Sequence, residues 1–436
     1  MKNASTEPCL VNTHAAKTYR INIVTGKGGG GHYATYHAIR AVLAAREVAE
    51  KTSSAPVSYR FQITDMDDIM AQMTQTKESI NLYKWLGSSV SDIYNSMLKR
   101  GWTWLWPVQM RLNKLLVKLN SDFAVDYFKQ YWQQQQPDIV VSVVTMCNKV
   151  LWKALDETLP GTPYVTVMID FADEPPGFWI EPDTDSYIVC GKQRAVEQAN
   201  SLGVNPERIV VTSGMVIHPR FRPSRDPVEP LRADFGLAAH CLTGLVMFGG
   251  NGADVMMDIA QKLSVFGDRL QLIFLCGYNL PLKAALQALP GMQRRLVVGF
   301  TAEVPDYMRL ADFFIGKPGP GSLSEALAMN LPVITERNFS TLIHERYNAT
   351  WIEQEQMGIV LRSFAQIERA VETFLDPEIF EQYRQRAIAH SNDAVEEVAD
   401  LIQALLSQTA SGKAKTRPVA EVVSTDESQA LAEPVR

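Results

Sequence analysis

Cysteine is scarce in this chain: five residues among 436, at positions 9, 147, 190, 241 and 276. No two form a C-x-x-C pair or a zinc-type spacing, so the thiols read as buried or idle in a reducing compartment. Long apolar runs are missing as well. The first eighteen positions carry no apolar signal core, and nothing approaches the roughly twenty consecutive apolar residues of a spanning helix. The expectation is a cytoplasmic protein that is neither exported nor transmembrane. Excess positive charge is also absent; the net charge of −6 argues against general nucleic-acid binding. No internal repeat stands out. TDMDD at 64–68 contains a formal D-x-D, Asp65 and Asp67, but it lies in the N-terminal half in no convincing metal-binding context.

What the chain does have is apolar content, 46%, and a length that together suit two domains with two cores. It also has glycine, placed tellingly. Residues 307–315 are a mostly apolar run that ends in a turn built from Gly316, Pro318, Gly319, Pro320 and Gly321. A helix is expected from Ser322 to near Asn330, stopping before Leu331 and Pro332. Glycines let a ligand approach the backbone, prolines stiffen the loop, and the helix start offers free N–H groups and a positive dipole end. That is an anion site suited to a diphosphate, with Lys317 at its rim. Local chemistry equally allows an ordinary connection in which Ser322 and Glu325 form a capping box.

A second glycine cluster opens the other half. Ile21, Ile23 and Val24 form a strand, Gly26 and residues 28–31 a loop, and a helix begins at about His32. The G-x-G-x-x-G over 26–31 is weak evidence alone. Lys27 precedes the glycines, so this is no P-loop, and the first acid at a plausible strand end, Asp65, lies too far along to hold a ribose. The loop does place His32 beside the exposed backbone of Gly30 and Gly31. One glycine loop opening each half predicts an α/β protein with two doubly wound, Rossmann-like domains facing a cleft.

Further strands are expected at 59–64, 137–144 and 163–170, then in the runs ending at Gly191 and Gly214. Asp170 closes the third of these and leads the acid-rich loop DFADEPP, either facing the cleft or capping the loop. Residues 215–221 read as the crossing between domains and 222–230 as a polar linker. The second domain continues with a strand at 242–248 that runs into Gly249, Gly250, Asn251 and Gly252, a third glycine turn opening a helix. Strands at 270–279 and 295–300 follow, the latter bringing Gly299 and Phe300 to the cleft. The expected division is a disordered 1–18, domains at 19–221 and 231–406, and a disordered 407–436. Residues 83–119 combine Trp85, Trp102, Trp104 and Trp106 with Lys99, Arg100, Arg111, Lys114 and Lys118. Tryptophan with basic residues on amphipathic turns favours an anionic membrane interface, with Trp102, Trp104, Trp106, Arg111 and Lys114 as contacts. Packing of these aromatics into the core is the competing reading.

GGGGH at 28–32, GF at 299–300, GKPGPGSLSEAL at 316–327, the LP after it and HERYN at 344–348 resemble the lipid-directed glycosyltransferases. These are the monogalactosyldiacylglycerol synthases, the bacterial diacylglycerol glucosyltransferases and the peptidoglycan N-acetylglucosaminyltransferase. The likeness spans residues 19–406. It implies the GT-B fold, with one C-terminal helix able to cross back to the first domain, and a UDP-sugar bound mainly by the C-terminal domain. By this resemblance Gly250, Asn251, Lys317, Gly319, Pro320, Gly321 and Ser322 surround the diphosphate. Gly299 and Phe300 hold the uracil, Phe300 by stacking; Glu325 takes the ribose hydroxyls. His344, Glu345 and Asn348 hold the sugar, but His344 replaces a glutamine that most galactolipid synthases have there, which leaves the sugar open. His32 is the expected general base, since a near-neutral histidine can accept a proton at physiological pH. Asp170 would orient a histidine or an acceptor hydroxyl. The expected reaction is inverting and metal-independent, needs no cofactor beyond the UDP-sugar donor, and acts on diacylglycerol or another lipid at the inner face of the cell membrane. A UDP-N-acetylglucosamine-dependent lipid transferase, a non-hydrolysing UDP-sugar epimerase and a non-catalytic binding protein are the alternatives.

Overall fold

The computed structural model describes residues 17–27, 30–50, 57–75, 112, 115, 117, 119–224, 226–291 and 294–410. Short apolar runs bounded by turn residues become parallel strands, buried on both faces at the centres of the sheets and half-buried at several of the edges. The first half runs β1 (Lys17–Thr25), α1 (Gly31–Glu50), β2 (Val57–Asp65), α2 (Met66–Gln75), α3 (Ser121–Gln135), β3 (Ile139–Ser142), α4 (Asn148–Thr158), β4 (Tyr164–Val167), β5 (Tyr187–Cys190), α5 (Gln193–Ser201) and β6 (Ile209–Val211). Its six strands are all parallel, in the order β2-β1-β3-β4-β5-β6. The strand order reverses beside β1, where β2 lies to one side and β3 to the other.

The second half runs α6 (Val228–Asp234), β7 (Leu242–Met247), α7 (Val255–Leu263), β8 (Leu270–Leu275), α8 (Leu280–Ala288), β9 (Arg295–Val298), α9 (Val304–Arg309), β10 (Phe313–Ile315), α10 (Pro320–Ala328), β11 (Val333–Glu336), α11 (Ile343–Gln354), β12 (Gly358–Leu361), α12 (Ile367–Phe374), α13 (Pro377–Ala389) and α14 (Ala394–Ala410). Its parallel sheet has the order β12-β11-β10-β7-β8-β9, with the reversal between β7 and β10. Ligands of open α/β sheets bind beyond the strand C-termini at such reversals. The loops after β1 and β3, and after β7 and β10, are therefore where this fold opens a crevice in each half.

Helices cover both faces of each sheet. On the first sheet, Phe128 and Trp132 of α3 pack with Leu151 and Leu155 of α4, each side chain contributing about 1.5–3 kcal/mol by leaving water. The opposite face carries Ile39, Val42 and Leu43 of α1 together with Val398, Ile402 and Leu405 of α14. Arg46 of α1 clasps α14 through Glu396 at 2.8 Å and Asp400 at 2.5 Å. The crossing back expected of one C-terminal helix is made by α14, which packs on the first sheet and runs to Ala410, past the expected limit at 406.

The halves also meet through side chains. Phe171, just past β4, is fully buried in the core of the second half, edge-on to Trp351 of α11 at 5.2 Å. The Lys192 ammonium sits 3.7 Å above the same indole and 3.2 Å from Nε2 of His390, in the crossing segment. Burial pushes the Lys192 ammonium down to about 7 and the His390 imidazole down to about 4.

Candidate active site

His32 stands in the first turn of α1, beyond the C-terminus of β1. Its Nδ1 lies 2.5 Å from the carbonyl oxygen of Val143, just past β3. A carbonyl only accepts, so Nδ1 carries the hydrogen and donates, and Nε2 is the nitrogen able to accept a proton. The histidine thus straddles the reversal of the first sheet. Gly31 lies close beneath the Ile169 side chain, 3.2 Å from where a Cβ would be, whereas a Cβ on Gly30 would meet nothing within 4 Å. Residues 28 and 29 lie outside the described residues. So does the membrane cluster of Trp102, Trp104, Trp106, Arg111 and Lys114. Nearby, the acids of the formal D-x-D serve other residues: Lys27 bonds Asp68 at 2.6 Å and lies 3.9 Å from Asp65, which also accepts from the Tyr33 hydroxyl at 2.6 Å.

Asp170 is buried beyond β4 and accepts a hydrogen bond from Trp179 Nε1 at 2.8 Å. The His32 ring is held through Nδ1 by the Val143 carbonyl, and the indole N–H of Trp179 holds one oxygen of Asp170. Burial pushes the Asp170 carboxyl up; the charges of His344 and His32 and the Trp179 N–H pull it back, while Glu345 pushes it further. Residues of both halves therefore share one electrostatic neighbourhood. The intervening loop is shaped by Asp173, fully buried, whose Oδ1 accepts from the N–H of Phe178 at 2.8 Å and Trp179 at 2.6 Å. Its Oδ2 accepts from Gly177 N–H at 2.6 Å. Phe178 then lays its ring against His344 of α11, centroids 6.1 Å apart.

In the second half the loop after β10 leads into α10, which starts at Pro320 with Gly319 as its N-cap, two residues before the expected start. Ser322 is a first-turn residue and makes no side-chain cap, so the capping box is not formed. Pro320 has no N–H and Leu323 N–H bonds Gly319 O, which leaves the N–H groups of Gly321 and Ser322 without a backbone acceptor among the described residues. A Cβ on Gly321 would meet nothing within 4 Å, so there is room beside that residue. Fully buried Asn348 donates from Nδ2 to Pro318 O at 2.9 Å, while its Oδ1 is buried without a partner. Lys317 Nζ lies 2.9 Å from Oε1 of buried Glu345. Glu325, half-buried on α10, accepts no hydrogen bond from the described residues, and burial pushes its carboxyl up to about 7.

Across the second reversal, Gly249 and Gly252 have φ of 74° and 58°, and Gly252 N–H closes a turn on Gly249 O. The helix α7 starts only at Val255, so this turn does not open a helix directly, contrary to expectation. Gly250 and Asn251 are exposed at its tip. Gly250 O accepts from Tyr278 N–H at 2.8 Å, an approach only a glycine at 277 permits, since a Cβ there would fall 1.9 Å from that oxygen. Tyr278 in turn stacks on Phe300 beside Gly299, with centroids 4.1 Å apart and planes 14° from parallel. One face of Phe300 is thus already taken by a tyrosine that sequence reasoning passed over. Trp179 and the Val143 carbonyl were missed likewise; for Trp179 the signal was an indole inside an acid-rich strand-end loop.

The geometry is that of two crevices, one edged by His32 and one by the glycine-rich start of α10, joined by the loop after β4. Comparison with known proteins agrees. The sequence profile of monogalactosyldiacylglycerol (MGDG) synthase matches residues 58–217, and that of the glycosyltransferase family 28 C-terminal domain matches residues 244–405. Among similar sequences, the chloroplastic monogalactosyldiacylglycerol synthase of Spinacia oleracea is 25% identical over 89% of this chain and 73% of its own. The processive diacylglycerol beta-glucosyltransferase of Bacillus subtilis (strain 168) is 27% identical over 91% of this chain and 98% of its own. Among solved structures, MurG of Acinetobacter baumannii superposes with a TM-score of 0.56 at 15% identity, covering 89% of this chain and 99% of that one. The calicheamicin glycosyltransferase CalG4 does so with 0.54 at 15% identity, over 90% and 100%. At such identities these two structures speak for the two-domain GT-B fold alone. With its N-terminal half matching one profile and its C-terminal half the other, the chain is similar along most of its length to the monogalactosyldiacylglycerol synthases and diacylglycerol glucosyltransferases.

Proposed function

We propose that this protein transfers a hexose from a UDP-sugar to diacylglycerol, with inversion at the anomeric carbon and without a metal. The observation that carries this reading is that Asp170 feels both His32, whose Nδ1 is committed to Val143, and the His344 and Glu345 of the second half. In the proposed step the acceptor hydroxyl attacks the anomeric carbon and gives its proton to His32 Nε2. The bond to the diphosphate breaks with its electron pair, and UDP leaves against Gly321, Ser322 and the Lys317 ammonium. Gly250, Asn251 and Gly319 line the diphosphate, Gly299 and Phe300 the uracil, and Glu325 the ribose. Glu345, Asn348 and His344 hold the sugar. The acceptor comes from the lipid bilayer at the cytoplasmic face, where the Trp-rich basic segment at 102–114 provides the contact.

The test offers UDP-galactose, UDP-glucose and UDP-N-acetylglucosamine separately with anionic liposomes containing diacylglycerol. One of the two hexose donors is expected to yield a glycolipid. UDP binding with no glycolipid from any donor would overturn the acceptor, and interconversion of UDP-sugars without liposomes would establish an epimerase.

Glu325 supplies a pH dependence. A carboxylate must be ionised to accept two ribose hydroxyls, and this one is protonated below about 7. Affinity for the UDP-sugar is therefore expected to weaken as pH falls from 8 to 6, and Glu325→Gln to flatten that profile; titration calorimetry at several pH values checks it. Linkage has the opposite sign in the empty protein. The folded carboxyl binds its proton above the ordinary 4.5, so its contribution to stability is present below 4.5 and lost as pH rises through about 7.

A further inference from the structure

One cation serves two anions in the donor site. Glu345 is 7% exposed at its side chain and holds Lys317 Nζ at 2.9 Å, while the Lys317 side chain is 43% exposed. A carboxylate buried this deeply needs a counter-charge or several donors, because desolvation is otherwise uncompensated. The pair closes over the loop that leads into α10: a Cβ on Gly319 would lie 3.6 Å from Glu345 Oε1 and 3.6 Å from Lys317 Cε. Lys317 thus stands beside the open N–H groups of Gly321 and Ser322, on a flexible stem whose point charge suits a phosphate equally well.

We propose that Lys317 is exchanged between Glu345 in the empty site and the diphosphate in the occupied one, so that full binding requires a sugar whose hydroxyls replace Lys317 on Glu345. This deepens, and rests on, the reading of the site as a nucleotide-sugar site. When the diphosphate draws Lys317 away, Glu345 is left buried without its counter-charge. An intact UDP-hexose supplies hydroxyl donors to it; UDP alone does not. The exchange therefore penalises the product UDP relative to the donor and favours its release after transfer. Asn348 marks the same pocket, its Oδ1 buried and unpartnered while Nδ2 ties it to Pro318.

The prediction has an unusual sign. Glu345→Gln, which keeps the shape and removes the charge, is expected to tighten UDP binding at least about fivefold, the lower end of ordinary coupling between sites. The same variant should weaken UDP-hexose binding. Removing the cation should erase the gain: Glu345→Gln in a Lys317→Met background changes UDP affinity by less than about twofold, whereas a Lys317→Arg background retains it. Titration calorimetry with UDP and with UDP-hexose on the wild type and these variants decides the matter, with thermal melts confirming that each is folded. UDP affinity unchanged or weakened by Glu345→Gln, or tightening that persists with Lys317→Met, would overturn the exchange and leave the nucleotide-sugar reading intact. A wild-type protein that binds no UDP would overturn that reading and the exchange with it.

Discussion

The His32→Ala protein is expected to lose glycosyl transfer by about 10²- to 10⁴-fold, the usual contribution of a positioned general base, while binding UDP within about twofold of the wild type. The two readouts separate because the residues lie in different halves. His32 belongs to α1 and the first sheet, whereas the helix start at Pro320 and the buried Glu345 and Asn348 belong to the second. A second variant divides orientation from proton acceptance. His32→Asn keeps an N–H able to reach the Val143 carbonyl, 2.5 Å from the native Nδ1, but carries no basic nitrogen. It should be as inactive as the alanine variant and melt at a higher temperature than it. Steady-state rates with UDP-hexose and diacylglycerol liposomes, beside UDP titrations, make the measurement. Near-normal turnover in either variant would remove His32 from the role of base and make Asp170 the next residue to substitute.

The second large effect is structural in origin and catalytic in consequence. Asp173→Ala is expected to cost about 3–5 kcal/mol, because a buried carboxylate holding several backbone donors leaves each of them unsatisfied when it is removed. The donors are the N–H groups of Gly177, Phe178 and Trp179, with Ile180 more distant at 3.4 Å, and Phe178 and Trp179 are themselves buried. The loop carries Trp179 to Asp170 and Phe178 to His344, so turnover should fall along with the melting temperature. Asp173→Asn keeps one carbonyl acceptor and the shape; it should recover much of the stability and more of the rate than of the melting temperature. Thermal unfolding followed by circular dichroism, with kinetics below the transition, checks both. An alanine variant as stable as the wild type would show that the loop is held elsewhere.

Much of the architecture was legible in residue order because it follows from local rules. Apolar runs such as Ile139–Ser142 and Leu270–Leu275 can only be strands buried on both faces, and glycine is required where backbone must pass close to backbone, as at Gly277 against Gly250. Errors arose where two local rules compete. Serine is a favoured N-cap, so Ser322 reads as the helix start; proline is equally at home at the first helical position, and the structure starts α10 at Pro320 behind Gly319. For α14 no local rule applied. Its apolar stripe states that a face is buried and nothing of what buries it, and α1 of the other half proved to be the partner.

The sequence by itself determined the two α/β halves, the glycine loops at their sheet reversals, and the residue types of the site: a histidine in one half, and a lysine, carboxylates and an asparagine in the other. Only the tertiary structure decided what those side chains face. It set the His32 tautomer through a backbone carbonyl, a group every residue possesses and which no sequence pattern can mark. It turned Asp170 toward Trp179, laid Tyr278 on Phe300, and gave Glu345 and Lys317 to each other. The physical reason is range. Propensity, capping and periodicity act over a few residues along the chain, whereas charge compensation and packing act over a few ångströms through space, between segments that the fold alone brings together.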